Sequence, residues 1–209
     1  MTAVAVMAKA PVPGRVKTRL CPPCTPGEAA GLAEAALTDT LAALAGVAAE
    51  RRILALDGTA GPWLPPGIEV VAQQGRTLDE RIAAVLDGLD EPVLLIGMDT
   101  PQAGPAVLDA ALARLAEGGV DAVLGRAADG GWWALGLLEP HPLDVLGVPM
   151  STPATGAAQH DRLVARGRRV AALPVLRDVD TMADARAVAA AAPGTHFAAR
   201  LRALGHVVA

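Results

Sequence analysis

Thr2-Ala3-Val4-Ala5-Val6-Met7-Ala8-Lys9-Ala10-Pro11-Val12-Pro13-Gly14-Arg15-Val16-Lys17-Thr18-Arg19-Leu20 begins as an apolar run and ends as a charged loop held by prolines. The run from Thr2 to Met7 is short and unbroken, which is the pattern of a buried strand. Lys9, Pro11, Pro13 and Gly14 end it in a stiff loop. In a sheet covered by helices, ligands collect beyond the carboxyl ends of the strands, so this loop is the first candidate site.

Its charge strengthens that reading. The chain has two lysines, Lys9 and Lys17, and both fall in this segment, whereas arginine fills the basic positions elsewhere. An ammonium is a compact point charge suited to a phosphate oxygen, while a guanidinium is a planar fork. Lys9, Arg15, Lys17 and Arg19 together suggest a polyphosphate. The loop is neither a Walker A sequence, which needs G-x-x-x-x-G-K-[ST], nor the dinucleotide fingerprint, because no two glycines flank a single residue.

Farther along, apolar periodicity predicts strands at 52–56, 69–72, 92–96, 121–124, 132–138 and 169–173. Helices are expected at 26–48, 77–89, 105–117, 155–166 and 182–192, with a last solvated helix over 195–204. Thr25 and Pro26 supply the start of the first helix. Strands alternating with helices imply a mostly parallel sheet with helices on both faces. The 209 residues fit one α/β domain. Its nucleotide-binding part is expected at about 1–101 and its acceptor part at about 102–209.

Apolar residues make up 52% of the chain and aromatics 2%, so Ala, Val and Leu must build the core. A net charge of −4 offers no basic field for a nucleic-acid backbone. No run is long enough to span a membrane, and the first residues lack the basic lead of a secretory signal, so a cytosolic protein is expected. Cys21 and Cys24 read as loop cysteines. A zinc site would need two more ligands, and His141, His160, His196 and His206 lack finger spacing. The alanine-rich helices would serve a homodimer as readily as a core.

Carboxylates stand at two further strand ends. Asp99, in Gly97-Met98-Asp99-Thr100-Pro101, would project into the same crevice as the basic loop and is a hard ligand for Mg²⁺ or Mn²⁺. Asp178 or Asp180 would supply a second oxygen, the alternative for each Asp being the cap of the following helix. Asp129-Gly130-Gly131-Trp132-Trp133 places an acid before two tryptophans. Alternation allows one ring to wall a pocket while the other packs inward. Gln74 and Gly75, in Gln73-Gln74-Gly75-Arg76-Thr77, would hold a base edge or form a loop capped by Thr77.

These motifs resemble a family of small bacterial GT-A transferases described as glycosyltransferases and selenodomain-associated transferases. The likeness runs the length of the chain. Its most diagnostic part is Ala8 to Leu20, followed in the same order by Gly97 to Pro101, Asp129 to Gly131 and Asp178-Val179-Asp180-Thr181. The family is similar in turn to nucleotidyltransferases such as the phospholactate and molybdenum-cofactor guanylyltransferases. The Cys-Pro-Pro-Cys insert departs from the pattern, as does the Trp pair, where the family more often has tyrosines.

The resemblance implies a Rossmann-like GT-A sheet, with the nucleotide at the loop of the first strand. Ala8, Lys9, Gly14, Arg15, Lys17, Arg19, Gln74 and Gly75 would form its nucleotide and phosphate site. Asp99 and Asp180 would hold Mg²⁺ or Mn²⁺, and Asp99 and Asp129 would be the catalytic carboxylates. The expected activity is glycosyl transfer from a nucleotide-diphospho-sugar to a small-molecule acceptor. The alternative is nucleotidyl transfer from a triphosphate to a phosphorylated small molecule, with release of pyrophosphate. A non-catalytic nucleotide-binding module would leave the second acidic turn without a purpose.

Overall fold

The computed structural model describes residues 1–205; His206 lies outside them. The chain runs β1 (Ala3–Lys9), α1 (Pro26–Ala45), β2 (Arg51–Asp57), β3 (Glu69–Ala72), α2 (Leu78–Asp87), β4 (Val93–Gly97), α3 (Pro105–Leu115), β5 (Ala122–Ala127), β6 (Trp132–Leu137), α4 (Thr155–Ala165), β7 (Val170–Leu176), α5 (Met182–Ala191) and α6 (His196–Ala203). The seven strands form one sheet in the order β3-β2-β1-β4-β6-β5-β7.

β1 pairs in parallel with β2 and β4, β2 with β3, and β5 with β7. β6 lies antiparallel between β4 and β5. Two reversals of direction cancel, so the other six strands all point one way. The carboxyl ends of β1, β4, β5 and β7 therefore share one edge of the sheet. The chain steps from β1 to β2 on one side and returns to β4 on the other, which makes the crevice between the β1 and β4 loops the topological switch point.

Alternation along β1 feeds two cores. Val4, Val6 and Ala8 face the side covered by α1 and α3, where Leu37, Leu41, Leu44, Leu108 and Leu115 are buried. Ala3, Ala5 and Met7 face the side carrying Ile82 and Leu86 of α2 and Leu163 of α4. With buried side chains on both faces, β1 reads as a continuous apolar run instead of an alternating one.

α1 begins with a full capping box, in which Thr25 accepts from the Glu28 N–H and the Glu28 carboxylate accepts from the Thr25 N–H at 2.7 Å. Its other face carries Ala29, Leu32 and Ala36 into a third cluster with Val188 of α5 and Phe197 and Leu201 of α6. Burial on two faces explains why α1 is apolar nearly all round. The expectation of a solvated last helix is corrected here. Phe197, Ala198 and Leu201 of α6 are buried, and Asp39 of α1 accepts from the Phe197 N–H at 2.8 Å.

Truncating Phe197 should therefore open a cavity between α1, α5 and α6. Phe197→Ala is expected to cost about 3–5 kcal/mol of unfolding free energy. Urea denaturation reads this directly, and a loss under about 1 kcal/mol would show that α6 is not a packed element.

Candidate functional site

The loop after β1 divides its cations between two neighbours. The Arg15 N–H donates to Val12 O at 3.0 Å, and Gly14 supplies the positive φ of 77° that this turn needs. Val16 is buried in the core cluster of α1 and fixes the loop from its middle. To one side, Lys9 and Arg15 join Ala10, Val12, Asp57, Gly58 and Thr59 around a cleft of about 320 Å³. Neither cation makes an ion pair among the described residues. Gly58 is a necessity there, since at φ 125° an added Cβ would lie 2.6 Å from Ala10 Cβ.

To the other side, Lys17 and Arg19 turn to the loops after β4 and β7. The Lys17 ammonium lies 2.6 Å from Asp99 Oδ1 and 3.5 Å from Asp180 Oδ1, and it donates to Val179 O. Arg19 meets the second Asp180 oxygen at 3.1 Å. Backbone bonds tie the two acidic turns together. The Val179 N–H donates to Asp99 O at 2.9 Å, and Gln102 Nε2 donates to Arg177 O at 2.7 Å. Lys17 itself is in the left-handed region, at φ 48° and ψ 36°, a conformation that costs a non-glycine residue about 1–2 kcal/mol.

Asp178 is the third carboxyl of the group. Burial pushes its pKa up to about 7; the charges of Asp99, Asp129 and Asp180 push the same way, and Lys17 opposes them. One Asp178 oxygen, Gln102 Oε1 and Thr100 Oγ1 are buried without a hydrogen-bond partner in the same two turns. Neither acidic turn spends its carboxylates on capping. Gly104 caps α3, and Thr181 with Asp184 forms the capping box of α5.

Asp129 follows β5 and is exposed. Its Oδ1 accepts from the Gly131 N–H at 2.8 Å, and Gly130 O accepts from the Gly156 N–H at the start of α4. A Cβ at Gly130 would collide with the Pro153 carbonyl, so this close approach needs glycine. Asp129 thus stands on the same edge as Asp99 and Asp180, near enough for its charge to act on Asp178.

Several sequence expectations land elsewhere. The Lys17 ammonium faces carboxylates, not the cleft. Gln74 lines a separate shallow groove with Arg51, Glu69 and Val85 between β3 and α2. Its neighbour Gln73 reaches β1 instead, donating to Ala8 O at 2.9 Å. Gly75 is a turn residue packed on Glu80 at φ 122°. No tryptophan walls the cleft. Trp133 is buried and donates to Pro174 O at 2.9 Å, while Trp132 packs on the opposite face among the residues around Leu163. Asp57 and Thr59, which the sequence reading passed over, line the cleft; the signal for them was their place at the end of β2, next to β1.

Residues 32–152, more than half of the chain, match the family described as "Uncharacterized protein conserved in bacteria (DUF2064)". The chain belongs to the DUF2064 family. No curated protein matches it. Among solved structures, this DUF2064 protein is similar over 100% of its length to 99% of a candidate nucleotide-diphospho-sugar transferase from Desulfovibrio desulfuricans G20, at 25% identity and a TM-score of 0.87. Its fold is the nucleotide-diphospho-sugar transferase fold. A CMP:2-keto-3-deoxy-manno-octonic acid synthetase complexed with CTP matches 90% of this chain over 97% of its own, at 13% identity and a TM-score of 0.52. Rv0371c of Mycobacterium tuberculosis H37Rv, complexed with manganese, matches 90% over 96%, at 21% identity and a TM-score of 0.50.

The titration of Asp178 gives a first test of the site. Because its pKa rises from 3.8 to about 7, the folded protein holds a proton that the unfolded chain has already lost in that interval. The Asp178 contribution to stability is therefore lost as pH rises from about 4 to about 7. With EDTA present, Asp178→Asn should flatten the fall in thermal stability across this range. An unchanged pH slope in the variant would place the Asp178 carboxyl in water.

Proposed function

We propose that this protein is a metal-dependent glycosyltransferase that takes a nucleotide-diphospho-sugar as donor. The observation that carries this reading is one loop after β1 that turns Lys9 and Arg15, which make no ion pair among the described residues, into a cleft on one side and meets the carboxylates Asp99 and Asp180 on the other. A polyphosphate and a divalent cation are the ligand pair that matches both halves. The likeness to a candidate nucleotide-diphospho-sugar transferase supports it.

The residues fit a divalent cation. Asp99 and Asp180 offer hard oxygens, a cationic ammonium already stands between them, and an orphaned Asp178 oxygen lies behind them. Among the described residues, no group of three or more His, Cys, Asp or Glu is arranged as a complete metal cage. Mg²⁺ suits such a partial site, since it commonly takes one or two carboxylates and fills its shell with water and phosphate oxygens. The manganese complex of Rv0371c is consistent with this. Bound there, the cation would supply neutralisation of the charge that develops on a leaving diphosphate.

The chain's own groups account for the rest. Lys9 and Arg15 bind and orient the phosphates from the cleft, with Asp57, Gly58 and Thr59 as its far wall. Asp129 takes the proton of the acceptor hydroxyl. Its Oδ1 is held by the Gly131 N–H, and its Oδ2 makes no hydrogen bond among the described residues. The acceptor enters over the part of the chain after about residue 102. A second reading is nucleotidyl transfer from a triphosphate, which the cleft cations Lys9 and Arg15 would hold equally well. The products separate the two readings: glycosyl transfer releases a nucleoside diphosphate, and nucleotidyl transfer releases pyrophosphate.

Thermal stabilisation by a panel of nucleotide-sugars and nucleoside triphosphates, with and without Mg²⁺ or Mn²⁺, tests the site. A ligand at about 100 times its Kd adds roughly 2.7 kcal/mol. The expected result is stabilisation by a nucleotide-sugar that needs the metal and is lost in Asp99→Asn. Stabilisation by one triphosphate alone moves the assignment to nucleotidyl transfer, and no shift with any ligand refutes both. With the stabilising donor identified, Asp129→Asn should bind it as before yet turn over about 10²- to 10⁴-fold more slowly. Normal turnover would remove Asp129 from the mechanism.

A further inference from the structure

Lys17 presents a contradiction that points to a function. It lies in a loop whose first two cations, Lys9 and Arg15, face the cleft, yet its side chain is only 8% exposed and turned away from them. An ammonium has three N–H donors. Here it donates to the Val179 carbonyl and pairs with Asp99 at 2.6 Å and Asp180 at 3.5 Å, so it is turned to the carboxylates and not to a phosphate in the cleft. The backbone at Lys17 is held in the left-handed region to make this reach, and strain of that kind persists only where surrounding contacts impose it. The ammonium also lies within pairing distance of both carboxylates that the proposed function assigns to the metal.

We propose that Lys17 is an exchangeable internal counterion, which pairs with Asp99 and, alongside Arg19, with Asp180 in the metal-free protein, and must give them up when a divalent cation enters. This rests on the metal reading above and adds an order of events to it. Two cations cannot share the two carboxylates at close range, because like charges repel strongly in a partly desolvated site. Entry of the metal therefore releases Lys17, and the freed ammonium gains its donors for the anion beside it. An anionic ligand that accepts those donors stabilises the released state, so metal and polyphosphate bind with positive coupling. No covalent step is involved.

Mn²⁺ binding, followed by the electron paramagnetic resonance signal of the free ion, tests this without any turnover. Lys17→Met should bind Mn²⁺ at least about tenfold more tightly than the wild type. Lys17→Arg, which keeps the charge, should stay close to the wild type. After subtraction of the chelation that the same pyrophosphate causes without protein, pyrophosphate should tighten Mn²⁺ binding in the wild type and do so far less in Lys17→Met. Asp180→Asn placed on Lys17→Met should abolish the gain, which ties it to this site.

Equal or weaker Mn²⁺ binding in Lys17→Met, with the wild type binding normally, overturns the counterion role and leaves the metal reading standing. Absence of Mn²⁺ binding in the wild type, with or without pyrophosphate, overturns both. Should Lys17→Met fail to fold, the pyrophosphate effect on the wild type and on Lys17→Arg decides: no coupling in the wild type refutes the exchange.

Discussion

A single ammonium joins three separate parts of this molecule. Lys17 comes from the loop after β1, Asp99 from the turn after β4, and Asp180 and the Val179 carbonyl from the turn after β7. Without a cation there, two carboxylates and a third partly buried one would face each other across a narrow crevice. Burial raises the Asp178 pKa, and the charges of Asp99, Asp129 and Asp180 push it the same way. The backbone bond from Val179 to Asp99 would then have to hold the turns together against the repulsion of these carboxylates. The site is thus organised around a need for positive charge, which the chain meets internally.

The sheet makes this meeting possible. β6 runs against its neighbours on both sides, and that double reversal returns β5 and β7 to the direction of β1 and β4. The turns bearing Asp129 and Asp180 therefore arrive at the edge that carries Asp99. Small residues then let these turns close up. Gly130 and Gly156 bring the β5–β6 turn against the start of α4, and Gly58 brings the loop after β2 against Ala10. The result is a crevice with a cationic flank at the loop after β1 and an anionic flank at β4 and β7.

Much of this was legible from residue order. The buried run at β1, the capped start of α1 and the alternation of strands and helices follow from local pattern, and each places a loop at a strand end. Asp99 could be named because it directly follows a buried strand. What pattern could not give was pairing. Nothing local in Trp132 to Leu137 says that this strand runs antiparallel, and nothing in the basic loop says that Lys17 points away from Lys9. Both depend on contacts between residues far apart in the chain, such as Lys17 with Val179. The two tryptophans show the same limit. Alternation correctly put them on opposite faces, but both faces of this sheet are cores, so neither ring was left to line the cleft. Phe197 was hidden for a related reason, since the basic residues around it describe only the exposed side of α6 and not the α1 surface beneath it.

The central claim is that one crevice edge holds a divalent cation and a polyphosphate together. The most direct measurement is an anomalous-difference map from crystals grown with Mn²⁺ and the nucleotide that stabilises the protein. The account predicts one manganese peak coordinated by Asp99 and Asp180, phosphate oxygens on the same ion, and the nucleotide running into the cleft of Lys9 and Arg15. A nucleotide bound elsewhere, or bound in the cleft with no manganese at the two carboxylates, would contradict it.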